Sequence, residues 1–98
     1  MIYHITTNKA WQEALLKGHY ETESLLTEGF IHNSTLQQVA AVVNRYYKNA
    51  TDLILLHIDE SKLTSPLKYE LAPSVNEFFP HIFGPINIEA VISTALIT

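Results

Sequence analysis

The sequence predicts a small α+β domain, built as a split antiparallel β-sheet with two helices. Three observations support this prediction: a length of 98 residues, an apolar fraction of 47%, and short β-branched runs separated by two helical patterns. A chain of this length has room for one core, so we expect a single domain over residues 1–98. The charged fraction of 16% is typical of globular rather than disordered proteins.

Five segments have the residue types of β-strands. They are Met1–Ile5, Phe30–Ser34, Leu53–Ile58, Leu67–Glu70 and Val91–Ile97. The almost unbroken apolar run Leu53–Ile58 predicts a central strand that is covered on both faces. We expect His19–Gly29 to be a loop with a brief extended piece at Ser24–Leu26. A longer loop is predicted over Leu71–Pro85, which holds three of the four prolines.

Two segments have helical periodicity. The first, Lys9–Lys17, follows a pair of threonines that can cap it and ends at Gly18. The second begins at Ser34, which fits a capping box with Gln37, and its apolar positions recur at helical spacing. Arg45 is predicted to lie opposite that apolar stripe, in solvent.

The charge balance argues against a duplex nucleic acid partner. Six basic residues oppose ten acidic ones, the net charge is -4, and no segment concentrates lysine or arginine. Cysteine is absent, which excludes disulfides and thiolate chemistry and suits a reducing compartment. No basic segment followed by a long apolar run is present, so we expect no signal peptide, no membrane partner and a cytoplasmic location. The oligomeric state is left open.

Two short motifs place a histidine and a hydroxyl on one face of a strand. In His4-x-Thr6 and in His32-x-Ser34 the two side chains are two residues apart, which is the period of a strand. If the strands are neighbours, the four polar groups converge, and imidazoles can bind ligand hydroxyls or transfer protons. The alternative is that both histidines are satisfied structural residues and that Thr6 and Ser34 only cap helices.

Glu70 and His81 extend this candidate site. Glu70 ends a predicted strand, where it is either a functional carboxylate or an edge charge paired with Lys68. His81 lies in the aromatic, proline-bounded loop, which we expect to fold over a pocket. We therefore predict that His4, His32 and His81 line one cavity, whereas the remaining two histidines, His19 and His57, are predicted to be structural.

Other types of site are less favoured by the spacing. No two histidines stand at the close spacing of a helical or knuckle metal motif, so no metal ligands are assigned. Ser34 lacks the flanking glycines of a nucleophile elbow, which argues against a Ser-His-acid hydrolase. Because Arg45 is the only arginine, several bidentate phosphate clamps cannot be formed.

Four segments together resemble the bacterial family called domain of unknown function 952. They are Ile2–Thr6, Glu28–Ser34, Lys68–Glu70 and Phe79–Pro85. The resemblance implies an ADP-ribosyltransferase-like fold, a grouping that includes the RNA 2'-phosphotransferases, with His4, His32 and Glu70 around an NAD-like ligand. Ile5 stands where that superfamily carries the glycine whose backbone holds the carboxamide.

The leading hypothesis is an NAD- or ADP-ribose-directed transferase or hydrolase. In it Glu70 and His32 are catalytic, Glu70 stabilising an oxocarbenium ion, with Glu77 as the alternative carboxylate. The substrate-binding residues are His4, Thr6, Ser34 and His81. NAD enters as a possible substrate, and no cofactor is assigned. The alternatives are a non-catalytic small-molecule or nucleotide-binding module and an RNA 2'-phosphotransferase-like enzyme.

Overall fold

A computed structural model describes residues 1–97 of the chain. The α-helices are α1 (Asn8–Lys17), α2 (Glu23–Thr27) and α3 (Val39–Tyr46). The strands are β1 (Ile2–Thr7), β2 (His19–Tyr20), β3 (Ile31–His32), β4 (Leu53–Ile58), β5 (Leu67–Ala72), β6 (Glu77–Ile82), β7 (Ile86–Asn87) and β8 (Val91–Leu96). Short 3₁₀ turns cover Leu36–Gln38, Glu60–Lys62 and Ile88–Ala90.

The strands form three antiparallel sheets. One has the order β1-β4-β8, a second has the order β3-β6-β5, and β2 pairs with β7. An isolated bridge between Tyr3 and Ser34 links the two larger sheets, with backbone hydrogen bonds of 2.8 Å in both directions. The predicted α+β class and the antiparallel pairing are confirmed. The predicted split sheet is matched only in part, because the strands are divided among three sheets.

The core lies on the β1-β4-β8 sheet, and the predicted central strand is confirmed. Leu56 and Ile58 of β4 have no exposed surface, and neither has Ile2 of β1. Helix α1 covers this face with Trp11 and Ala14, both of which are buried. Burial on this scale, at about 25 cal/mol per Å² of apolar surface, is the main favourable term in folding.

Helix α1 begins and ends where the residue types predict. Oγ1 of Thr7 accepts a hydrogen bond from the backbone N–H of Ala10 at 3.0 Å, which satisfies one free donor of the first turn. Gly18 ends the helix with φ of 95°, a left-handed conformation that glycine adopts without steric cost.

The prediction of two helices is wrong, because the structure contains a third within residues 1–97. The piece predicted as extended, Ser24–Leu26, lies inside α2. Five residues are too few for helical periodicity to be recognised in the sequence. The second predicted helix is also shorter than expected, since Leu36–Gln38 is a 3₁₀ turn and Gln38 Oε1 accepts from the backbone N–H of Thr35 at 3.0 Å. Its N-terminal cap is thus one residue later than predicted.

The long loop predicted over Leu71–Pro85 is instead a β-hairpin. Strands β5 and β6 are joined by residues 73–76, where Asn76 has a left-handed φ of 55° that asparagine tolerates. Pro80 lies inside β6, although proline usually interrupts a central strand. It contributes its carbonyl oxygen, which accepts from the backbone N–H of Asn33 at 3.1 Å, just beyond the end of β3.

Within residues 1–97 none of the helices has both the length and the apolar character that crossing a bilayer requires.

Candidate functional site

His4 is locked in the interior. It is only 6% exposed, and both of its ring nitrogens have partners. Nδ1 lies 2.6 Å from the carbonyl oxygen of His32, and Nε2 lies 2.8 Å from the hydroxyl of Tyr20. That hydroxyl also lies 2.8 Å from Oγ1 of Thr6. The first predicted motif therefore takes part in a buried hydrogen-bond network.

Burial determines the charge state of His4. Desolvation lowers its pKa to about 4, although the hydrogen bond to His32 acts in the opposite direction. A carbonyl oxygen can only accept, so the neutral ring carries its proton on Nδ1, and its unprotonated Nε2 faces the Tyr20 hydroxyl. Burial also raises the pKa of Tyr20 to about 12. At neutral pH the network is uncharged, and neither group transfers protons readily.

The second sheet presents a row of polar side chains on one face. His32 of β3 is directly opposite His81 of β6, and His81 is directly opposite Lys68 of β5. Residues opposite each other in an antiparallel pair point to the same side of the sheet. The two imidazole rings lie 5.4 Å apart between centroids, in a T-shaped arrangement.

Each of these imidazoles is held by its own carboxylate. Oε1 of Glu70 lies 2.7 Å from Nδ1 of His81, and Oε2 of Glu28 lies 3.0 Å from Nε2 of His32. A carboxylate accepts from the nearer ring nitrogen, which leaves the other nitrogen free for a ligand. The free atoms are Nε2 of His81 and Nδ1 of His32.

Phe30 holds both rings in place from the end of α2 and the start of β3. It stacks on His81 with a centroid distance of 4.0 Å and an interplanar angle of 14°. It meets the edge of His32 at 4.9 Å, and it also contacts Phe83 at 5.5 Å. Such aromatic contacts restrict the orientation of rings that already have a carboxylate partner.

A cavity of about 930 Å³ opens between the two larger sheets and α3. Five of the six predicted site residues line it: His4, Thr6, His32, Ser34 and His81. The three histidines predicted to share a cavity thus all reach it, although His4 is fully engaged within the protein. Glu70 is not among the lining residues and contacts the cavity only through His81.

Within residues 1–97, two of the lining groups have a polar atom without a partner, although Ser34 is only 5% exposed and the His81 side chain only 12%. The Ser34 hydroxyl and Nε2 of His81 have no hydrogen-bond partner in the described part of the chain, and neither atom is sealed from solvent. His32 is more accessible still, with 56% of its side chain exposed. His32 and His81 lie on one face of the β3-β6-β5 sheet, whereas Ser34 lies beyond the end of β3 and is bridged to Tyr3 of β1.

The carboxylates have different partners from those considered in the sequence. Glu70 pairs with His81 and not with Lys68, whose Nζ lies 5.4 Å from the ring centroid of Phe83. Glu77 accepts from Nε2 of Gln38 at 3.2 Å and does not line the cavity. Both carboxylates considered for direct ribose contact are thus engaged with protein groups.

Sequence reasoning missed several lining residues. Arg45 is exposed, as predicted, but it also lines the cavity from α3, and its guanidinium is 5.9 Å from the Tyr46 ring centroid. Asn33 is 3% exposed, and its Oδ1 has no partner within residues 1–97. Glu28 was not considered, and helical spacing does not join it to His32, because the chain turns at Gly29 between α2 and β3.

The two histidines predicted to be structural lie elsewhere. His19 is hydrogen-bonded to Glu21 at 3.1 Å on the surface, and His57 of β4 meets the ring of Tyr3 edge-on at 5.1 Å. Neither lines the cavity. The His19–Glu21 pair resembles the two cavity pairs in composition, which makes it a matched control for them.

Three solved structures have the same fold as this chain. The chain is similar to the crystal structure of protein CC0527 from Caulobacter crescentus, with 28% identity and a TM-score of 0.86 over 96% of this chain and 82% of that one. A double mutant of the same protein gives 27% identity and a TM-score of 0.86 over the same shares. Its solution NMR structure gives 28% identity and a TM-score of 0.81, covering 96% of this chain and 81% of that one. No curated protein matches the sequence significantly.

The fold and the cavity define a small mixed α+β domain with several antiparallel sheets and a histidine-lined cleft between them. Residues 5–94 match the family model described as protein of unknown function DUF952. The chain belongs to this family.

Proposed function

We propose that the cavity binds a nucleotide of the ADP-ribose or NAD class and that the protein is a transferase or hydrolase acting on it. The observation that carries this proposal is the His81–Glu70 pair. The His81 imidazole lines the cavity together with His32 and Ser34, and Glu70 engages its Nδ1 while its Nε2 has no partner within residues 1–97. An imidazole oriented by a carboxylate is a recurrent arrangement for general base catalysis.

The size and lining of the cavity support a nucleotide. About 930 Å³ is near the upper end of the range of small-molecule sites, and a single sugar or amino acid would leave much of it empty. Aromatic rings of Tyr3, Tyr46 and Phe79 offer surfaces for a base or nicotinamide. Ser34 offers a hydroxyl for ribose, and Arg45 offers a cation for phosphate.

The geometry favours a redistribution of roles among the predicted residues. His81, first considered a binding residue, is the better base, because its Nε2 is free and its Nδ1 is held at 2.7 Å. Glu70 then acts through His81 as a positioning residue. His4 and Thr6 form part of the cavity wall, where their network with Tyr20 fixes the shape of the site.

A non-catalytic nucleotide-binding module is the second candidate. Both ring nitrogens of His4 are bonded within the protein, and its pKa is lowered. These two observations favour this candidate, because His4 then neither contacts a substrate nor transfers a proton. An RNA 2'-phosphotransferase-like activity fits less well with a net charge of -4 and one arginine. A cytoplasmic location is part of the proposal.

Thermal unfolding with a nucleotide panel, followed by chromatography of the products, tests the proposal. NAD, ADP-ribose, AMP and nicotinamide mononucleotide are each added at millimolar concentration. A ligand at 100 times its Kd adds about 2.7 kcal/mol, and each kcal/mol raises Tm by about 4–8 °C in a domain of this size. We expect stabilisation by NAD or ADP-ribose together with slow product formation.

The variant His81→Asn should lower the rate of product formation by about 10²-fold or more, whereas the matched variant His19→Asn should leave it unchanged. Stabilisation without product in the wild type would support the binding module instead. If no nucleotide raises Tm, the ligand class is wrong.

A further inference from the structure

We propose that the bond cleaved at this site is a phosphorus–oxygen bond, with His81 as the general base and His32 as the general acid. The inference rests on the proposed function, because it names the bond that the bound nucleotide loses. It is carried by an arrangement that the sequence did not predict. Two imidazoles on neighbouring strands stand side by side, and each has its own carboxylate partner.

Cleavage of a glycosidic bond would need a different arrangement. Nicotinamide leaves as a neutral molecule and needs no acid, but the ribose left behind needs a carboxylate beside its positive charge. The carboxylates of Glu28 and Glu70 are both committed to imidazoles. Glu23 also lines the cavity, but it is exposed, at the first residue of α2. The histidine pair is therefore better equipped than the carboxylates to act on a substrate.

Displacement at phosphorus needs the two groups that this face provides. A base removes the proton of the attacking oxygen, and an acid protonates the oxygen that leaves. Each group must come within about 2.6–3.2 Å of its oxygen. The rings of His32 and His81 are 5.4 Å apart between centroids, so both can reach the oxygens of one phosphate.

The surroundings of the two rings assign their roles. Glu70 accepts from Nδ1 of His81, which leaves a lone pair on Nε2, the form that a base requires. His81 is only 12% exposed and stacks on Phe30, so its orientation is fixed. His32 is 56% exposed and can regain a proton from solvent between turnovers, as an acid must. The charged groups that face the pair are Glu28, Glu70 and Lys68.

The step balances without a cofactor. The oxygen of water forms a bond to phosphorus while Nε2 of His81 takes a proton from that water. The bond from phosphorus to the leaving oxygen breaks, its electron pair stays on that oxygen, and the imidazolium form of His32, whose Nε2–H is held by Glu28, supplies the proton from Nδ1. His81 then loses its proton to solvent and His32 gains one. From ADP-ribose the products are AMP and ribose 5-phosphate.

Two further groups suit a phosphate. The Ser34 hydroxyl lines the cavity and has no partner within residues 1–97, so it can donate to a non-bridging oxygen, although the residue is only 5% exposed. Arg45 lines the same cavity and forms no ion pair with a carboxylate of residues 1–97. A guanidinium matches the geometry of a phosphate.

The test is incubation of the protein with ADP-ribose in ¹⁸O-labelled water, with mass spectrometry of the products. We expect AMP and ribose 5-phosphate, with the label in the phosphate of one of them. His81→Asn and His32→Asn should each lower the rate by about 10²–10⁴-fold, and His19→Asn should leave it unchanged. Circular dichroism and Tm of each variant check that it is folded.

The pH profile separates chemical from structural roles. A base must be deprotonated and an acid protonated, so the wild-type rate should be bell-shaped in pH. The residual activity of His81→Asn should lose the acidic limb, and that of His32→Asn the alkaline limb. If a variant does not fold, the more conservative Glu70→Gln and Glu28→Gln variants report on the same imidazoles.

Three outcomes contradict the inference in distinguishable ways. Release of nicotinamide from NAD without phosphorus–oxygen cleavage would overturn the inference but support the proposed function. Stabilisation by ADP-ribose with no products at all would overturn the inference and leave only binding. The absence of any stabilisation or product with NAD and ADP-ribose would overturn both.

Discussion

The two histidine–hydroxyl motifs have the same spacing but different environments. His4 and Thr6 lie on the core face of β1, where α1 and Tyr20 cover them, and both ring nitrogens of His4 are bonded. His32 lies on the exposed face of the second sheet, opposite His81, whereas Ser34 is 5% exposed and bridges to Tyr3 of β1. The spacing of two residues determines which face of a strand a polar side chain occupies. Whether that side chain is structural or available to a ligand depends on which other elements pack against the face.

Removal of the buried imidazole should have the largest effect on stability. His4→Ala leaves the His32 carbonyl and the Tyr20 hydroxyl without partners and creates a cavity, so we expect a loss of about 3–5 kcal/mol. Urea denaturation measures the loss. His32→Ala is the matched control and should change stability by about 0.5 kcal/mol or less, because His32 is exposed. Equal losses in the two variants would remove the distinction between the motifs.

The stability of the protein should fall in acid because of His4. Its pKa is about 4 in the folded protein and 6.5 in the unfolded chain, so between these values the unfolded chain binds the additional proton. The contribution of neutral His4 to the free energy of unfolding is therefore fully present above pH 6.5 and decreases as the pH falls. Between pH 7 and pH 4 the contribution of His4 amounts to about 3 kcal/mol.

The variant His4→Gln, which cannot titrate, isolates this contribution in denaturation curves at both pH values. The pKa values of Glu21, Asp59 and Glu60 are also lowered. Protonation of these carboxylates in acid therefore lowers the free energy of unfolding of the wild type and of the variant alike. An identical pH dependence in wild type and variant would mean that His4 is not buried in neutral form.

Because Glu70 positions His81, its replacement should lower the turnover rate. Glu70→Gln keeps the size of the side chain but loses the charge that orients His81, so we expect turnover to fall about 10–100-fold while nucleotide affinity changes within a few-fold. Glu21→Gln, which alters the surface pair with His19, is the control. If Glu70→Gln turns over at the wild-type rate, Glu70 is a structural partner of His81 only.

The smallest effect is expected at Phe30. Phe30→Leu removes the ring that stacks on His81 and touches His32, which should cost about 0.5–1.5 kcal/mol of stability and a few-fold in turnover. Phe78→Leu changes a phenylalanine that is 59% exposed and serves as the control. A Phe78→Leu effect as large as that of Phe30→Leu would show that the stacking is not specific.

Local sequence signals predicted part of the fold. The central strand β4 and helix α1 follow from residue type and capping, and alternation placed His4 with Thr6 in β1, but β3 ends at His32 and does not include Ser34. The β5–β6 hairpin was missed because Pro80 and the other prolines outweighed the strand pattern around His81. The turn Pro73-Ser74-Val75-Asn76 was the signal available, since proline and asparagine often occupy such positions.

The pairing of imidazoles with carboxylates could not be predicted in the same way. It depends on which strands become neighbours, and His81 meets His32 and Glu70 only because β6 lies between β3 and β5. These contacts join residues far apart in sequence, and no periodicity encodes them. The neutral state of His4 likewise depends on its cover by distant elements, which alternation within β1 does not reveal.

His32 and His81 each have one ring nitrogen without a partner in residues 1–97, whereas both ring nitrogens of His4 are bonded within the protein. The most direct measurement is long-range ¹⁵N–¹H NMR of the five imidazoles during a titration with ADP-ribose. We expect Nε2 of His81 and Nδ1 of His32 to shift, while His4 keeps the spectrum of a neutral ring protonated on Nδ1 and His19 does not change. Shifts confined to His19 or His57, or the absence of any shift at millimolar ADP-ribose, would contradict the account.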